Sequence, residues 1–524
     1  MTIFAQFFGA THEVTGSFHL IHTDKSRILL DCGLFQGRRK EAEMKNRALP
    51  LDPAILSNCV LSHAHLDHCG RIPMLVKGGF SGRIFATATT ADACAYLLKD
   101  SAKIQENDAA YLNYKIVRNF LGGVAEGGPK MSKAKRRQVK TLLKASEARL
   151  NDAIIAKVQA AHHLERIEPI YTIEDVEACL PRFFGQDYRQ EFAVADDVSC
   201  TLYDAGHILG SAMPLLSITS GAGRKNILFS GDVGRFGKPI IRDPTLSFAC
   251  ENIDLLIMES TYGDRRHDDD GDLKGKLKDV LRETFARSGS VIIPAFAYGR
   301  TQELIYFLHE LYMEGAVRKV PVYIDSPLAT NITHVFDRHP ENYDSDTRRN
   351  FLNNGIKPFA FEQLRFVESV EESMAINRDQ KSHIVIAGSG MCEGGRVLHH
   401  LRHKIHDEKH TILIVGYMGR NTFGHLLQEK AAAYEQGGRQ GQAPTVRFYN
   451  KEYPLRARVA TIGGFSAHGD YDELLRVIRE SNLRVKKIAL VHGEEEQISA
   501  FQKRLQNTGY DVVAPRQGES VEVP

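Results

Sequence analysis

Short apolar runs that end at polar or acidic residues recur along this chain. The run 28–30 leads into Asp31, and the run 227–229 leads into Ser230-Gly231-Asp232. Short runs of apolar or β-branched residues bounded by glycine and polar residues predict buried strands. Because open sheets carry their chemistry where strands end, the residues after these runs are candidate site residues. The same pattern precedes the segments 62–68, 204–207 and 492–494.

The segment 62–68, with the sequence SHAHLDH, holds the densest group of potential metal ligands. Imidazole nitrogens and carboxylate oxygens are preferred ligands of zinc and similar divalent cations. In an extended segment alternate residues face the same side, so His63 and His65 can bind one ion together. Asp67 and His68 follow the turn and can reach a second ion. The H-x-H-x-D-H spacing therefore predicts a metal site.

The composition is typical of a large soluble enzyme. A chain of 524 residues exceeds what one hydrophobic core usually supports, so two lobes are expected. The formal net charge of +2 neither requires nor excludes a nucleic-acid partner. The eight cysteines form no C-x-x-C pair and are interpreted as reduced packing thiols. No charged and apolar leader and no apolar stretch of ~20 residues is present, so we expect a cytoplasmic protein without a membrane partner.

The order of the candidate residues resembles that of the β-CASP family, nucleases with the metallo-β-lactamase fold. An Asp, the H-x-H-x-D-H segment, a His and an Asp match the shared core of the fold. A Glu in the sequence IMESTYG and two later histidines match the three motifs of the β-CASP branch. The motifs extend over almost the whole chain. The matching positions are Asp31, 62–68, His207, Asp232, Glu259, His468 and His492.

The resemblance implies an α/β fold: an αββα metallo-β-lactamase sandwich with an inserted β-CASP lobe, in which helices flank a parallel sheet. We expect the sandwich to contain residues 1–264 and 456–524, and the β-CASP lobe to contain residues 265–455. A helical insert is predicted at about 100–190. Its basic run is interpreted as a solvated helix face rather than an RNA-contacting surface. The run consists of Lys133, Lys135, Arg136, Arg137, Lys140 and Lys144.

The resemblance also implies two Zn²⁺ ions per chain and a set of catalytic residues. His468 is the expected general acid, and Glu259 would position it and keep it cationic. Asp31 is expected to orient a ligand histidine rather than bind metal itself. Asp67 is expected to serve both as a ligand and in catalysis, and Asp232 to bridge the ions. One ion would take His63, His65 and His207, and the other would take Asp67, His68 and His492.

Three predicted strands between residues 265 and 455 lead into the loops 294–300, 388–396 and 416–421, each of which contains glycine and arginine. We call these the glycine loops. Glycine lets backbone amides approach an anion, and helix N-termini favour negative charge. These loops are therefore expected to bind RNA phosphates, although three ordinary strand–helix turns are the alternative. The residues expected to contact phosphate are Ser389, Gly390, Arg396, Arg300 and Arg420.

The favoured function is a zinc-dependent ribonuclease that acts on single-stranded RNA, with endonucleolytic processing preferred over 5′→3′ exonuclease activity. His492 favours RNA, because DNA-directed members of the family typically carry an aliphatic residue at the matching position. The alternatives are a DNA-directed nuclease, a catalytically silent scaffold subunit and a small-molecule hydrolase. A homo-oligomer is left open. No KH domain is expected before the nuclease region and no extension after it.

Two adjacent histidine pairs lie outside the motifs. His162-His163 and His399-His400 occur in charge-rich sequence with a helical pattern. Because adjacent helical residues point to different faces, neither pair is suited to bind one ion. Both pairs are predicted to be surface residues.

Overall fold

Two seven-stranded sheets form the first lobe of the protein. The structure is a computed structural model that describes all residues except 1–2, 38, 124–131, 147–149, 222 and 268–270. In spatial order, the first sheet contains Ser520–Glu522, Phe4–Gly9, Phe18–His22, Arg27–Leu30, Asn58–Val60, Ile84–Thr87 and Phe183–Gln186. The second contains Asp511–Val513, Arg484–Val491, Asn252–Glu259, Gly223–Phe229, Ala212–Ser220, Val198–Asp204 and Glu191–Ala195.

The apolar runs of the sequence are strands that are buried on both faces. In Gly223–Phe229, the side chains of Ile227 and Phe229 pack into the core between the two sheets. Leu228 points the other way, into a core shared with the helices Tyr471–Arg479 and Glu495–Gln506. Successive side chains of a strand face opposite sides, so a strand covered on both sides needs an unbroken apolar run. The first sheet is covered on its outer face by helices in the same way, which completes an αββα sandwich.

A six-stranded sheet, parallel throughout, forms the second lobe. Its last strand, Arg458–Thr461, pairs with Thr411–Ile414. The second lobe therefore extends beyond the expected boundary at about 455 and includes Thr461. In spatial order the strands are Leu364–Phe366, Val322–Ile324, Ile384–Ala387, Val291–Pro294, Thr411–Ile414 and Arg458–Thr461; the hairpin Thr445–Phe448 and Lys451–Pro454 is separate.

Helices cover the sheets and form the insert between His68 and His207. The long helix Ala88–Gly122 leaves the sandwich, and its distal half packs with later helices through Tyr114, Val117 and Ile155. No helix in the described ranges is long and apolar enough to cross a membrane. The α-helices are Arg39–Asn46, Leu66–Cys69, Ile72–Lys77, Ala88–Gly122, Lys133–Leu142, Asp152–Ala161, Ile173–Cys179, Leu273–Ala286, Arg300–Met313, Pro327–Arg338, Ser345–Asn350, Val370–Arg378, Val397–Lys404, Phe423–Gln436, Tyr471–Arg479 and Glu495–Gln506. Short 3₁₀ helices are Pro53–Ile55, Leu180–Arg182, Pro340–Asn342 and Leu352–Asn354.

Candidate metal centre and active site

Parallel strand registers bring the motif residues to one edge of the sandwich. In the second sheet, Glu259 lies opposite Val491, so His492 emerges beside it. The neighbouring strand Gly223–Phe229 is also parallel, which places Asp232 at the same edge. Parallel strands end on the same side of a sheet, so residues that are far apart in sequence meet there.

The first sheet presents its motif residues through a close contact between two loops. Leu30 lies opposite Val60 in a parallel pair, so Asp31 and the segment 62–68 leave the sheet together. The backbone N–H of Cys32 donates to the carbonyl of His68 over 2.7 Å. A Cβ at Gly33 would lie 1.6 Å from the carbonyl oxygen of Asp67, so only glycine fits at this position. This contact holds the segment 62–68 against the end of the neighbouring strand.

His63, His65 and His207 converge on one side of the centre. Nδ1 of His65 lies 3.2 Å from Nε2 of His63 and 3.2 Å from Nε2 of His207. Oδ2 of Asp232 lies 3.6 Å and 3.5 Å from the Nε2 atoms of His63 and His207. These four side chains can offer their ligand atoms to one ion.

Asp67, His68 and His492 converge on the other side. The Nε2 atoms of His68 and His492 lie 3.2 Å apart, and Oδ2 of Asp67 lies 3.7 Å from Nε2 of His492. Oδ1 of Asp232 lies 3.2 Å from Nε2 of His68. Asp232 thus turns one carboxylate oxygen toward each set of histidines.

The residues of this centre fit bound metal better than a hydrogen-bonded polar core. Oδ1 of Asp232 is buried and accepts no hydrogen bond of good geometry in the described part of the chain, although Nε2 of His68 lies 3.2 Å away. A buried carboxylate oxygen normally has a partner, because its desolvation is otherwise uncompensated. Ring nitrogens that face one another at hydrogen-bond distance, with a carboxylate between them, are the donor set that zinc prefers.

Burial and charge divide the histidines into two protonation classes. Burial and the proximity of His68 lower the pKa of His63 well below its usual range, and burial and His468 do the same for His207. Burial lowers the pKa of His65 to about 4. These three imidazoles are therefore neutral near pH 7, as metal binding requires. Burial also opposes protonation of His68, but Asp232 and Asp31 outweigh it and raise the pKa of that residue.

Asp31 lies behind the centre and is fully buried. Its Oδ2 is 2.6 Å from Nδ1 of His68, the ring nitrogen that faces away from His492. Oδ1 accepts the backbone N–H of Ser62, and Oδ2 accepts the hydroxyls of Ser17 and Ser62. Asp31 therefore contacts the ring of a candidate ligand from behind.

His468 lies at the rim of the centre, and its side chain is 22% exposed. Its Nδ1 is 3.2 Å from each carboxylate oxygen of Glu259, while its Nε2 faces Asp232 at 3.8 Å. Burial lowers the pKa of His468, but Glu259 and Asp232 outweigh burial and raise the pKa to about 9. Glu259 is itself held by the N–H groups of Val233 and Thr261. This histidine is therefore protonated at neutral pH.

Sequence reasoning missed two residues that hold this site in place. The hydroxyl of Thr261 lies 3.1 Å from Nδ1 of His492, and it also donates to the His492 carbonyl. Nε2 of His267 lies 2.9 Å from the carbonyl oxygen of His468. Thr261 follows the acidic motif directly and could have been suspected. His267 carries no motif signal, because its contact depends on how two distant loops meet.

The glycine loops of the second lobe lie side by side at the carboxyl ends of adjacent parallel strands. The Ser389 hydroxyl accepts the N–H groups of Glu393 and Gly394, which closes the loop after Ile384–Ala387. Arg300 forms an ion pair with Glu303, and its guanidinium lies 4.9 Å from the ring centre of Phe465. Arg420 is exposed. Gly390 lies against the ring of Phe296.

Asp325 forms a buried polar cluster beneath these loops. It is 1% exposed and accepts hydrogen bonds from Arg396 over 2.6 Å and from Ser373. Nε2 of His400 lies 2.5 Å from its second oxygen. The prediction that His400 is a surface residue is therefore wrong, since this side chain is 1% exposed. The helical pattern alone could not reveal that a buried carboxylate faces it.

The remaining histidines of the two adjacent pairs and the basic helix are not part of the centre. His162, His163 and His399 are exposed. Arg137 and Lys140 are exposed on the helix Lys133–Leu142, whereas the side chains of Lys133, Lys135 and Arg136 lie outside the described residues. The interpretation of this helix as a solvated face rather than an RNA-contacting surface stays a prediction.

Three family models match separate parts of the chain. Residues 13–80 match the metallo-beta-lactamase superfamily, residues 301–427 match the Beta-Casp domain, and residues 452–515 match a Zn-dependent metallo-hydrolase RNA specificity domain. The first match contains His63, His65, Asp67 and His68. The third contains His468 and His492.

Two relatives match nearly the whole of this chain. Ribonuclease TTHA0252 of Thermus thermophilus is 32% identical over 98% of this chain and 99% of its own length. Transcription termination factor FttA of Methanocaldococcus jannaschii is 29% identical over 94% of this chain and 67% of its own length. A crystal structure of a protein of unknown function from Enterococcus faecalis V583 shares the fold over 100% of both chains, with a TM-score of 0.52 and 11% identity.

The chain belongs to the β-CASP family of metal-dependent nucleases with the metallo-β-lactamase fold. The predicted α/β fold class and the predicted family are confirmed.

Proposed function

We propose that this protein is a zinc-dependent ribonuclease that cleaves single-stranded RNA endonucleolytically with a pair of zinc ions. The observation that carries the proposal is the placement of Asp232 between two sets of ligand-type side chains. His63, His65 and His207 would hold one ion, and Asp67, His68 and His492 the other. The match of residues 452–515 to an RNA specificity domain and the similarity to a named ribonuclease support RNA as substrate. The free, mostly buried cysteines support a cytoplasmic setting.

Each side chain of the centre is proposed to have a separate chemical role that follows from its position. When bound, the zinc pair supplies Lewis acidity toward water and the phosphodiester. Asp31 fixes the ring of His68 and makes its outward nitrogen a better ligand. His468, protonated at neutral pH, donates a proton to the leaving 3′ oxygen of the RNA. Glu259 holds the His468 ring and favours its cationic form.

The loops of the second lobe are proposed to hold the RNA backbone. Arg420 is exposed beside the glycine loops and is available to a phosphate. Ser389 and Gly390, in the loop at the adjacent strand end, would contact a phosphate of the RNA with the backbone of that loop. Arg396 and Arg300 already pair with carboxylates, so their contribution would be to shape the loops as well as to add positive charge.

RNA cleavage and its mode can be tested with one set of substrates. Purified protein is incubated with 5′-labelled RNA, internally labelled RNA, circular RNA and single-stranded DNA of the same sequence. The proposal expects RNA to be cut much faster than DNA and the circular RNA to be opened. Equal rates on RNA and DNA would contradict the RNA assignment. If the circular RNA stays intact while the linear RNA loses 5′ nucleotides stepwise, the protein is a 5′→3′ exonuclease rather than an endonuclease.

A further inference from the structure

Two large aromatic side chains are exposed on the glycine loops of the second lobe. Phe296 is 48% exposed and Tyr417 is 67% exposed. Single exposed rings are common, whereas exposed rings on adjacent loops near a site are candidates for ligand contacts. Neither ring has a role in the metal centre described above.

Both rings lie at the same edge of the parallel sheet. Phe296 follows the strand Val291–Pro294, and Tyr417 follows the adjacent strand Thr411–Ile414. Because these strands are parallel neighbours, the loops that carry the two rings leave the sheet side by side. The loop after Ile384–Ala387 leaves the sheet on the other side of Val291–Pro294.

Small side chains let the loops that carry the two rings approach the loop 388–396 closely. A methyl group at Gly390 would lie 2.8 Å from Cδ2 of Phe296, so the glycine backbone rests directly on that ring. A methyl group at Gly419 would lie 3.7 Å from Sδ of Met391 and 3.9 Å from Cε1 of Tyr417. Gly390, which packs on the Phe296 ring, is thus followed by Met391, whose sulfur lies close to Gly419 in the loop that carries Tyr417.

The loop that carries Phe296 also contacts the metal centre. The ring of Tyr298, two residues beyond Phe296, meets the ring of His65 edge-on at a centroid distance of 6.2 Å. The Tyr298 hydroxyl donates to the carbonyl of Leu209, in the loop that carries His207. A strand of nucleic acid bound at the metal centre would pass the loop that holds Phe296.

We propose that Phe296 and Tyr417 form a stacking site for unpaired nucleobases of the RNA strand, with Arg420 beside them for the backbone phosphate. This inference rests on the proposed ribonuclease function and names the groups that hold the bases. Proteins that bind single strands combine aromatic rings with positive charge in this way, because every base has a face that can stack. The site would therefore favour single-stranded RNA without strong sequence preference.

The test combines ring removal with base removal. The variants are Phe296→Ala, Tyr417→Ala, and the ring-preserving Phe296→Tyr and Tyr417→Phe. Each is assayed on a single-stranded RNA and on the same RNA with abasic sites next to the cleaved bond. We expect each alanine variant to raise KM for the normal RNA by about 5- to 100-fold. The ring-preserving variants should stay within about threefold of wild type.

The abasic RNA makes the result specific to stacking. The wild-type protein should lose affinity for the abasic RNA, whereas the alanine variants should lose little more, because the partner of the ring is already gone. Tyr111→Ala is the matched control, since Tyr111 is 49% exposed on the helix Ala88–Gly122, outside the loops. It should cleave both RNAs as the wild type does.

Three outcomes would overturn the inference. Alanine variants with unchanged KM on an RNA that the wild type cleaves would exclude base stacking while leaving the ribonuclease proposal intact. Equal losses on normal and abasic RNA would assign the rings to loop structure instead. A shift in sedimentation of the RNA-free alanine variants would assign the surface to contact with a second copy of the chain. Failure of the wild type to cleave any RNA would be a failure of the proposed function.

Discussion

Nδ1 of His68 lies 2.6 Å from Oδ2 of Asp31, and neither side chain is more than 1% exposed. The other ring nitrogen of His68 faces His492 and Asp232. A carboxylate behind a histidine fixes its ring orientation and raises the basicity of its outer nitrogen. We therefore expect Asp31 to act on metal binding without contributing an atom to the ion.

Asp31→Ala is expected to weaken zinc binding by about 10–100-fold, mainly at the set that contains His68. The protein should still bind zinc at high concentration, because every ligand atom remains. A competition titration with a zinc chelator measures this loss, and circular dichroism checks the fold. Asp152→Ala, an exposed carboxylate on the helix Asp152–Ala161, serves as control. Unchanged zinc affinity in Asp31→Ala would remove the orienting role.

Elemental analysis of the purified protein is expected to find about two zinc ions per chain, since the centre offers enough donors for two sites. Asp232→Ala should lower zinc content and activity more than His65→Ala, because Asp232 faces both sets of histidines. Chelation should abolish cleavage, and added zinc should restore it. One ion per chain in fully active protein would contradict the two-metal proposal.

His468→Ala is expected to reduce the cleavage rate by about 10²–10⁴-fold, the usual cost of losing a general acid. Zinc content and RNA affinity should be retained, since this side chain is assigned neither to a metal nor to the RNA backbone. An RNA analogue with a less basic leaving group should be affected less. A variant that loses zinc, or that cleaves at the wild-type rate, would show that His468 has another role.

The rate of cleavage is expected to fall as the pH rises through about 9, where His468 loses its proton. The pKa of His468 is raised by Glu259, so Glu259→Gln should move this fall to lower pH. The measurement is the pH dependence of kcat for both proteins with saturating RNA. If kcat falls at the same pH in both proteins, Glu259 does not control the protonation of His468.

Asp325→Asn is expected to destabilise the second lobe by about 3 kcal/mol, because removing the charge of a buried carboxylate leaves its partners uncompensated. This is the low end of the usual range, since Arg396 is 22% exposed. Burial raises the pKa of Asp325, but hydrogen bonds from His400, Ser373 and Arg396 outweigh it and hold the pKa below its usual value.

The stability that this depressed pKa contributes is fully present at pH values above the unfolded-state pKa of an aspartate. It is lost as the pH falls through the lower folded-state pKa. The stability difference between wild type and Asp325→Asn should therefore shrink below about pH 4. Urea unfolding at pH 7 and pH 3 measures both effects. Asp346→Asn, an exposed carboxylate paired with Arg349, is the control. A difference that does not change with pH would mean that the Asp325 carboxylate is not ionised in the folded protein.

The local sequence was enough to identify the dense ligand segment 62–68 and the strands that lead to the other motif residues. Those strands are buried on both faces, so their apolar runs are unbroken and easily recognised. The resemblance to the family then predicted which later residues meet this segment, because the family motifs keep their order along the chain. The nesting of one lobe inside the other was predicted from the positions of His468 and His492.

Only the tertiary structure decided which side chains meet away from those motifs. His267 reaches the His468 carbonyl, and His400 reaches Asp325, across separations of 201 and 75 residues. The strand Arg458–Thr461 joins the second lobe because it pairs with Thr411–Ile414, although nothing local distinguishes it from the strands of the sandwich. A strand pattern determines which residues are buried, but partner and register depend on the whole sheet. The contacts of a buried histidine depend on the fold in the same way, since its burial comes from distant elements that pack over it.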